Sequence, residues 1–397
     1  MCRVLVVYLE ERFQRSSEGT YYSNIFGGFF WCRYLEVYDF VYIVARAEPG
    51  KNEMPARLEW MITDARLKFV ELPYYKGGLQ FLMRFHKVLY TVFKSTRIRG
   101  VHILRLPGIV SNVALPFLLL RRKVFGVELV GDPQSVFSEG GVGGRFSKYY
   151  KYVFTIATRL ACRYAKAVAY VTKYTMQRRY PASPRAYTTF YSSIDLPSEL
   201  IVPGRLIGMY AEDRSFNLFM AGTMEQRYKG FDTMIRAMER IVASGYRANL
   251  VLAGDGDLKS ELEQLVKTLG LSNSIVFLGK ISREQVLREM DSADMFVIPS
   301  RTEGLPRVLI EAMARGLPSV GTNVGGIPEL LASEYLVERE DYISLANLIC
   351  RLIDDCVQRK NMSSDNILIA HGYEANALRK RRLAFYEYLA SLIGEKL

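Results

Sequence analysis

Two carboxylates, Glu303 and Glu311, stand eight positions apart in the run 299–318, with Gly304, Leu305 and Pro306 between them. The pattern places Glu303 in the loop leaving a strand and Glu311 on the helix that follows. A carboxylate ahead of a helix N-terminus can accept hydrogen bonds from sugar hydroxyls, and the helix N-terminus can receive a phosphate. A second segment reads Ala221-Gly222-Thr223, followed by Arg227-Tyr228-Lys229-Gly230-Phe231-Asp232. A glycine turn with cations at a helix start suits an anion through free N–H groups and the helix dipole; a surface turn with solvated charges is the plain alternative. A third, Gly254-Asp255-Gly256-Asp257, contains Asp-x-Asp. Asp255 reads as a turn former and Asp257 as a helix N-cap rather than as metal ligands. Gly325-Gly326-Ile327-Pro328-Glu329 forms a further glycine loop.

These segments need strands to carry them. Short apolar runs predict strands over 3–9, 41–45, 68–70, 101–104, 127–130 and 167–171, with helices near 21–35, 80–97, 109–122 and 146–164. Prolines, glycines and charges between 192 and 215 break the rhythm, which then restarts with strands at 217–221, 249–253, 275–278, 295–298 and 318–321. Strand–helix alternation means parallel, doubly wound sheets. The expectation is an α/β chain of two tandem Rossmann-like domains, 1–200 and 201–397, with an interdomain cleft as the default ligand site. A final helix over about 373–393 can pack back on the N-terminal domain.

The second half resembles the nucleotide-binding domain of family 4, or group 1, retaining glycosyltransferases with the GT-B fold. Glu303 and Glu311 match that family's Glu, seven residues, Glu hallmark. Glu-Gly-Leu-Pro, Glu-Ala-Met-Ala, Gly-Leu-Pro, Gly-Gly-Ile-Pro-Glu, Lys-Gly-Phe-Asp at 229–232 and Gly-Asp-Gly-Asp at 254–257 follow in the family's manner, and the match covers about 217–332. The resemblance implies that Lys229 contacts a donor diphosphate, with Arg227 a second cation. It implies that Glu311 holds ribose hydroxyls and that Glu303, with Gly304 beside it, meets the donor sugar. The N–H groups of Leu305, Arg307 and Val308 would face sugar and phosphate, Gly222 and Thr223 would form the phosphate loop, and Lys280 would lie where the backbone meets the base. Retention would proceed by front-face attack, the leaving diphosphate helping to deprotonate the acceptor, with no metal and no cofactor beyond the nucleotide sugar. UDP is favoured on family frequency and GDP is the alternative.

Two departures stand in this half. Thr223 occupies the place where many members have arginine, and Pro306 lacks an N–H. The first half resembles the acceptor domain of a polysaccharide-assembly subgroup more loosely, through Phe30-Trp31-Cys32-Arg33-Tyr34-Leu35-Glu36-Val37 and Gly131-Asp132-Pro133-Gln134-Ser135-Val136-Phe137. Gly19, after the first strand, matches a glycine loop near the diphosphate. Asp132 occupies a place comparable to the family's catalytic-site histidine; it reads equally as an acceptor-binding group or as a turn former before Pro133.

Charge adds an acceptor expectation. The formal net charge is +12, and residues 1–200 hold 29 basic against 15 acidic side chains while 201–397 hold 24 against 26. The basic excess lies wholly in the first half, which suggests an anionic partner there. Over 145–166, Lys148, Lys151, Arg159, Arg163 and Lys166 share one helical arc, with Tyr149, Val153, Ile156, Leu160 and Tyr164 opposite. The plain reading sets that apolar face on the core; the functional one sets the helix against an anionic membrane surface. Nucleic acid is disfavoured, since no finger, heptad or aromatic RNA-binding run accompanies the charge. No run of 18 apolar residues occurs, which argues against a spanning helix. Five cysteines without a Cys-x-x-Cys pair point to the cytoplasm, and three scattered histidines argue against zinc. The sequence therefore predicts a cytoplasmic glycosyltransferase, peripheral on the membrane face, using a lipid-linked or glycan acceptor in surface polysaccharide or lipopolysaccharide assembly. A non-catalytic binding subunit and a nucleotide-sugar epimerase of similar fold are the rivals.

Overall fold

The computed structural model describes residues 2–49, 60–136, 147–194, 196–209 and 214–393. The chain divides into two units, one of Met1–Gln134, Lys148–Tyr191 and Arg379–Leu397, the other of Ser135–Ser147 and Ser192–Leu378. The change of unit thus falls at 191/192, a few residues before position 200, and residues from Arg379 onward belong with the first unit.

The first unit holds β1 (Val4–Arg15), β2 (Tyr21–Tyr22), β3 (Phe40–Pro49), β4 (Leu67–Leu72), β5 (Val101–Leu106), β6 (Phe125–Leu129), β7 (Ala167–Tyr170) and β8 (Tyr187–Phe190). The sheet order is β4-β3-β1-β5-β6-β7-β8 and every pairing along it is parallel. Its first strand outruns the apolar run 3–9, because Glu10 finds a buried ion-pair partner in Arg46 on β3. A register irregularity between Tyr8 and Arg12 accommodates the charged stretch.

Where the aromatic pattern predicts one helix over 21–35, the structure has a hairpin and a shorter helix. Tyr21 and Tyr22 pair antiparallel with Arg15 and Gln14, closed by Ser16 N–H to Thr20 O at 2.8 Å and by Gly19 at φ 85°. The helix begins only at Gly28 and ends at Leu35. The helix Ala375–Ser391 supplies Phe385, Tyr386 and Leu389 to the first unit's core. Its Tyr386 hydroxyl donates to the buried Glu128 at 3.0 Å.

The helix Ser147–Tyr164 departs from the plain reading of its sequence. Its core side is Phe154, Thr155, Thr158, Ala161 and Cys162. Tyr149, Val153, Ile156, Leu160 and Tyr164, the face expected to meet the core, are exposed. Apart from Phe154 the buried side chains are small or hydroxylic, and most of the larger apolar side chains are left outward.

The second unit holds β9 (Phe216–Ala221), β10 (Ala248–Ala253), β11 (Ile275–Gly279), β12 (Met295–Ile298), β13 (Ser319–Thr322) and β14 (Leu336–Val337). Their order is β11-β10-β9-β12-β13-β14, all parallel. Read by chain order this is 3-2-1-4-5-6, the doubly wound arrangement whose order reverses between its first and fourth strands. The strands read as apolar runs because both faces are covered. The helix Phe231–Ala243, for example, buries Phe231, Met234, Ile235, Met238 and Ile241 at helical spacing. β8 and β14, four and two residues long, carry no apolar run for the sequence to reveal.

Candidate functional site

In an open α/β sheet, ligands bind beyond the carboxyl ends of the strands where the strand order reverses. In the second unit that point lies between β9 and β12. A cavity of about 700 Å³ opens there, lined by segments that follow β9, β11 and β12 and by Ser193 and Ile194. Its size suits a nucleotide-sized ligand.

The phosphate-type loop leaves β9 at Ala221. Lys229 follows in a single 3-10 turn, Arg227–Lys229, and its aliphatic stem lies 3.3 Å from where a side chain on Gly222 would begin. Gly222 thus leaves room for the lysine to cross the loop. Gly230 has φ 77°, and a Cβ there would fall 2.0 Å from the carbonyl oxygen of Pro299. The close approach draws the Lys229 turn against the loop leaving β12.

That second loop carries Glu303. Its Oε1 accepts from the Lys229 ammonium at 2.5 Å and from the Ser300 hydroxyl at 2.9 Å. Behind it, Gly325 has φ 56°, and a Cβ there would meet the Glu303 carbonyl oxygen at 1.9 Å. Gly326 N–H donates to Gly304 O at 2.7 Å. The glycine loop after β13 is therefore a backing for the Glu303 loop.

The helix Arg307–Ala314 starts at the cavity with Pro306 as its N-cap residue and no side-chain cap. Its first N–H groups have no partner within the helix, so they and the dipole favour an anion. Glu311, on the next turn, accepts from Arg283 Nε at 3.0 Å. Arg283 opens the helix Arg283–Ser292, fixed by a capping box between Ser282 and Gln285.

A buttress stands beside the cavity. Arg301 grips Asp232 with two bonds at 2.9 and 2.8 Å and Glu340 at 2.6 Å. Burial raises the Asp232 carboxyl pKa, but the Arg301 guanidinium more than offsets it and holds the pKa below its ordinary value. The pair ties the first turn of the helix after β9 to the loop after β12.

The cavity gathers Gly222, Thr223, Lys229, Glu303, Leu305, Arg307, Val308 and Glu311. Other expected residues lie elsewhere. Arg227 faces Glu261, which it grips at 2.6 and 2.8 Å, and is not part of the lining. Lys280 is exposed, and Ile281 and Arg283 line the cavity in its stead. Gly304 engages Gly326 through its carbonyl and does not line the cavity. Asp257 does not cap the following helix, whose N-cap is Leu258.

Two further expected residues belong to the first unit. Gly19 sits at the tip of the β1–β2 hairpin. Asp132 is buried; it accepts from Gln134 N–H at 2.9 Å and the Tyr180 hydroxyl at 2.6 Å, and pairs with Arg179. The Gln134 bond is the local turn that the Asp-Pro pair favours, and Phe137 of the same motif lies outside the described residues.

The sequence reading missed Ser300, Tyr228, Arg283, Ser193 and Ile194. The Ser-x-x-Gln spacing at 282–285 was a signal for Arg283, because it fixes a helix start at the carboxyl end of β11. Ser193 and Ile194 had none.

Comparison with known proteins finds likenesses to a family model, to curated proteins and to solved structures. Residues 215–355 match the family model described as "Glycosyl transferases group 1". Protein CapJ of Staphylococcus aureus is 24% identical over 373 residues, covering 91% of this chain and 90% of that protein. A GDP-mannose-dependent monoacylated alpha-(1-6)-phosphatidylinositol monomannoside mannosyltransferase of Corynebacterium glutamicum is 30% identical over 217 residues, 50% of this chain and 55% of that one. Among solved structures, sucrose-phosphate synthase of Thermosynechococcus elongatus superposes with a TM-score of 0.67 at 17% identity, over 98% of this chain and 100% of that one. HepE of Anabaena in complex with UDP does so with a TM-score of 0.64 at 18% identity, over the same shares.

Proposed function

We propose that this chain, a glycosyltransferase of the group 1 family with the GT-B fold, transfers a sugar with retention from a nucleoside-diphosphate donor, UDP-linked before GDP-linked, to a lipid-linked glycan in surface polysaccharide assembly. The observation that carries the reading is the cavity at the β9/β12 strand reversal. Three basic side chains, two carboxylates and an uncapped helix N-terminus converge there. Lys229 and the N–H groups at the start of the helix Arg307–Ala314 bind the diphosphate. They stabilise the charge that develops on it as the glycosidic bond to phosphate breaks. Glu311 takes the ribose hydroxyls, oriented by Arg283. Glu303, held by Ser300, takes hydroxyls of the donor sugar. The reaction needs no protein nucleophile in this reading: the acceptor hydroxyl attacks from the face that the diphosphate leaves, and the diphosphate accepts its proton.

Relatives support the substrate classes. HepE has been solved with UDP, with UDP and glucose, and with UDP-glucose. AmsK of Erwinia amylovora is an amylovoran biosynthesis glycosyltransferase. Among the described residues no helix is long and apolar enough to cross a membrane.

The test is a thermal-shift panel with UDP, GDP and ADP, their sugars, and NAD, on the wild type and Glu311→Ala. A ligand at 100 times its dissociation constant stabilises by about 2.7 kcal/mol. One nucleoside diphosphate is expected to shift the wild type and not the variant. No shift with any nucleotide would sink the donor assignment.

A further inference from the structure

We infer that the first unit carries a lipid-docking face built from two helices, Gly77–Ser95 and Ser147–Tyr164, and that its partner is an anionic bilayer surface. The inference deepens the acceptor half of the proposed reaction, yet its observations come from the first unit alone.

Both helices leave apolar stripes uncovered. On the first, Leu79, Leu82, Met83 and Tyr90 follow helical spacing and are 74, 71, 61 and 66% exposed. Only Val88, Val92 and Ser95 of that helix are buried, so its N-terminal half makes almost no core. On the second, Tyr149, Tyr152, Val153, Ile156, Leu160 and Tyr164 form a continuous exposed stripe. Single exposed apolar residues are ordinary; contiguous stripes mark interaction surfaces. The two helices meet, since the Tyr150 hydroxyl lies 3.8 Å from where a side chain on Gly78 would begin.

The charge around the stripes selects the partner. From Pro73 to Val127 the chain has ten basic residues and no acidic one, and between Glu139 and Asp195 it has ten more and again no acid. Lys76, Lys87, Lys148 and Arg163 are exposed on or next to the two helices. A second copy of this chain would bring like charge to like charge. A soluble polyanion would use the cations and gain nothing from the leucines and tyrosines. An anionic lipid surface uses both, with apolar side chains in the acyl boundary, tyrosines at headgroup level and lysines toward the phosphates.

The test is co-sedimentation of the full chain with phosphatidylglycerol vesicles, phosphatidylcholine vesicles, and no vesicles, at low and high salt. The variants are Leu79→Ser/Leu82→Ser/Met83→Ser and Lys87→Ala/Lys148→Ala. All five positions are exposed, so folding is preserved, and the nucleotide thermal shift of each variant reports on the donor unit separately. The wild type is expected to bind phosphatidylglycerol vesicles in preference to phosphatidylcholine. Each lysine removed should weaken binding about five-fold at low salt, the equivalent of about 1 kcal/mol, and less at high salt. The triple apolar variant should lose about ten-fold or more at both salts. No binding to anionic vesicles, with the nucleotide shift intact, overturns the docking face and leaves the donor reading standing. Vesicle binding unchanged in the apolar variant overturns it in favour of a charge-only polyanion site. Self-association without vesicles, lost in the apolar variant, overturns it in favour of a second copy.

Discussion

The Lys229 ammonium donates to Glu303 Oε1 at 2.5 Å, although 74 residues separate the two in sequence. Both side chains are largely buried, at 15 and 9% exposure. In the proposed reaction Lys229 meets the diphosphate and Glu303 the donor sugar, so each ligand group would meet a side chain already oriented by the other. Replacing Lys229 by Met keeps the stem that crosses Gly222 and deletes the charge. The turnover number is expected to fall about 10²–10³-fold, the scale for removing one stabiliser of developing charge. Lys229→Met/Glu303→Gln removes both charges and should not recover activity. Recovery in the double variant would mean that the lysine only neutralises the glutamate.

Arg283 Nε donates to Glu311 Oε1 at 3.0 Å from a helix start fixed by its own capping box. As a positioning residue, Arg283 should matter to nucleotide affinity through Glu311. Calorimetric titration of the preferred nucleoside diphosphate is expected to show Arg283→Ala weakening binding a few-fold and Glu311→Ala weakening it more. In the double variant the arginine's effect should vanish, the non-additivity expected of residues acting through one contact. Equal effects of Arg283→Ala with and without Glu311 would assign the arginine a direct contact of its own.

Much of this site was legible because its logic is local. Each motif is a strand end, a glycine and a helix start, and two glycines with strained contacts, Gly230 and Gly325, mark where loops touch. Side-chain aim was not legible. Arg227 and Lys229 are two residues apart, yet one meets Glu261 and the other Glu303; both carboxylates are remote in sequence. The helix Ser147–Tyr164 defeated periodicity for a related reason. Its Thr155, Thr158 and Ala161 are buried, while Tyr149, Tyr152 and Tyr164 are exposed. Apolar character alone therefore pointed to the wrong face. The hairpin at Tyr21–Tyr22 was hidden because a turn around Gly19 outweighed a helical-looking aromatic run.

Two glycines near Glu303 should behave oppositely. Gly325 has φ 56°, and a Cβ would meet the Glu303 carbonyl oxygen at 1.9 Å; at Gly304 nothing lies within 4 Å. Gly325→Ala should displace the Glu303 loop. It should cost about 1–3 kcal/mol in urea unfolding, the usual range for a strained backbone substitution, together with most of the activity. Gly304→Ala should leave stability within about 0.5 kcal/mol. Matching unfolding curves for the two variants would contradict the backing role of the loop after β13.

Glu128 accepts from Tyr34, Tyr191 and Tyr386 at 3.0, 2.9 and 3.0 Å and pairs with Arg105, while only 1% exposed. Burial raises its pKa, but the Arg105 charge and the three hydroxyls outweigh burial and hold it below the ordinary 4.5. A depressed carboxylate pKa contributes stability that is fully present above the unfolded value and is lost as pH falls through the folded one. Glu128→Gln leaves Arg105 without its charge partner and should destabilise by about 3–5 kcal/mol at neutral pH. Because Tyr386 lies on the helix Ala375–Ser391, the variant should also loosen that helix from the first unit, seen as faster amide exchange over 379–393. In urea unfolding at a series of pH values, the gap between wild type and variant should be constant above about pH 5 and narrow below 4.5, as the wild-type carboxylate takes up its proton. A gap of the same size at acid and neutral pH would show that the carboxylate titrates in the folded chain as it does in the unfolded one, and a gap that widens in acid would show that it is neutral in the folded chain.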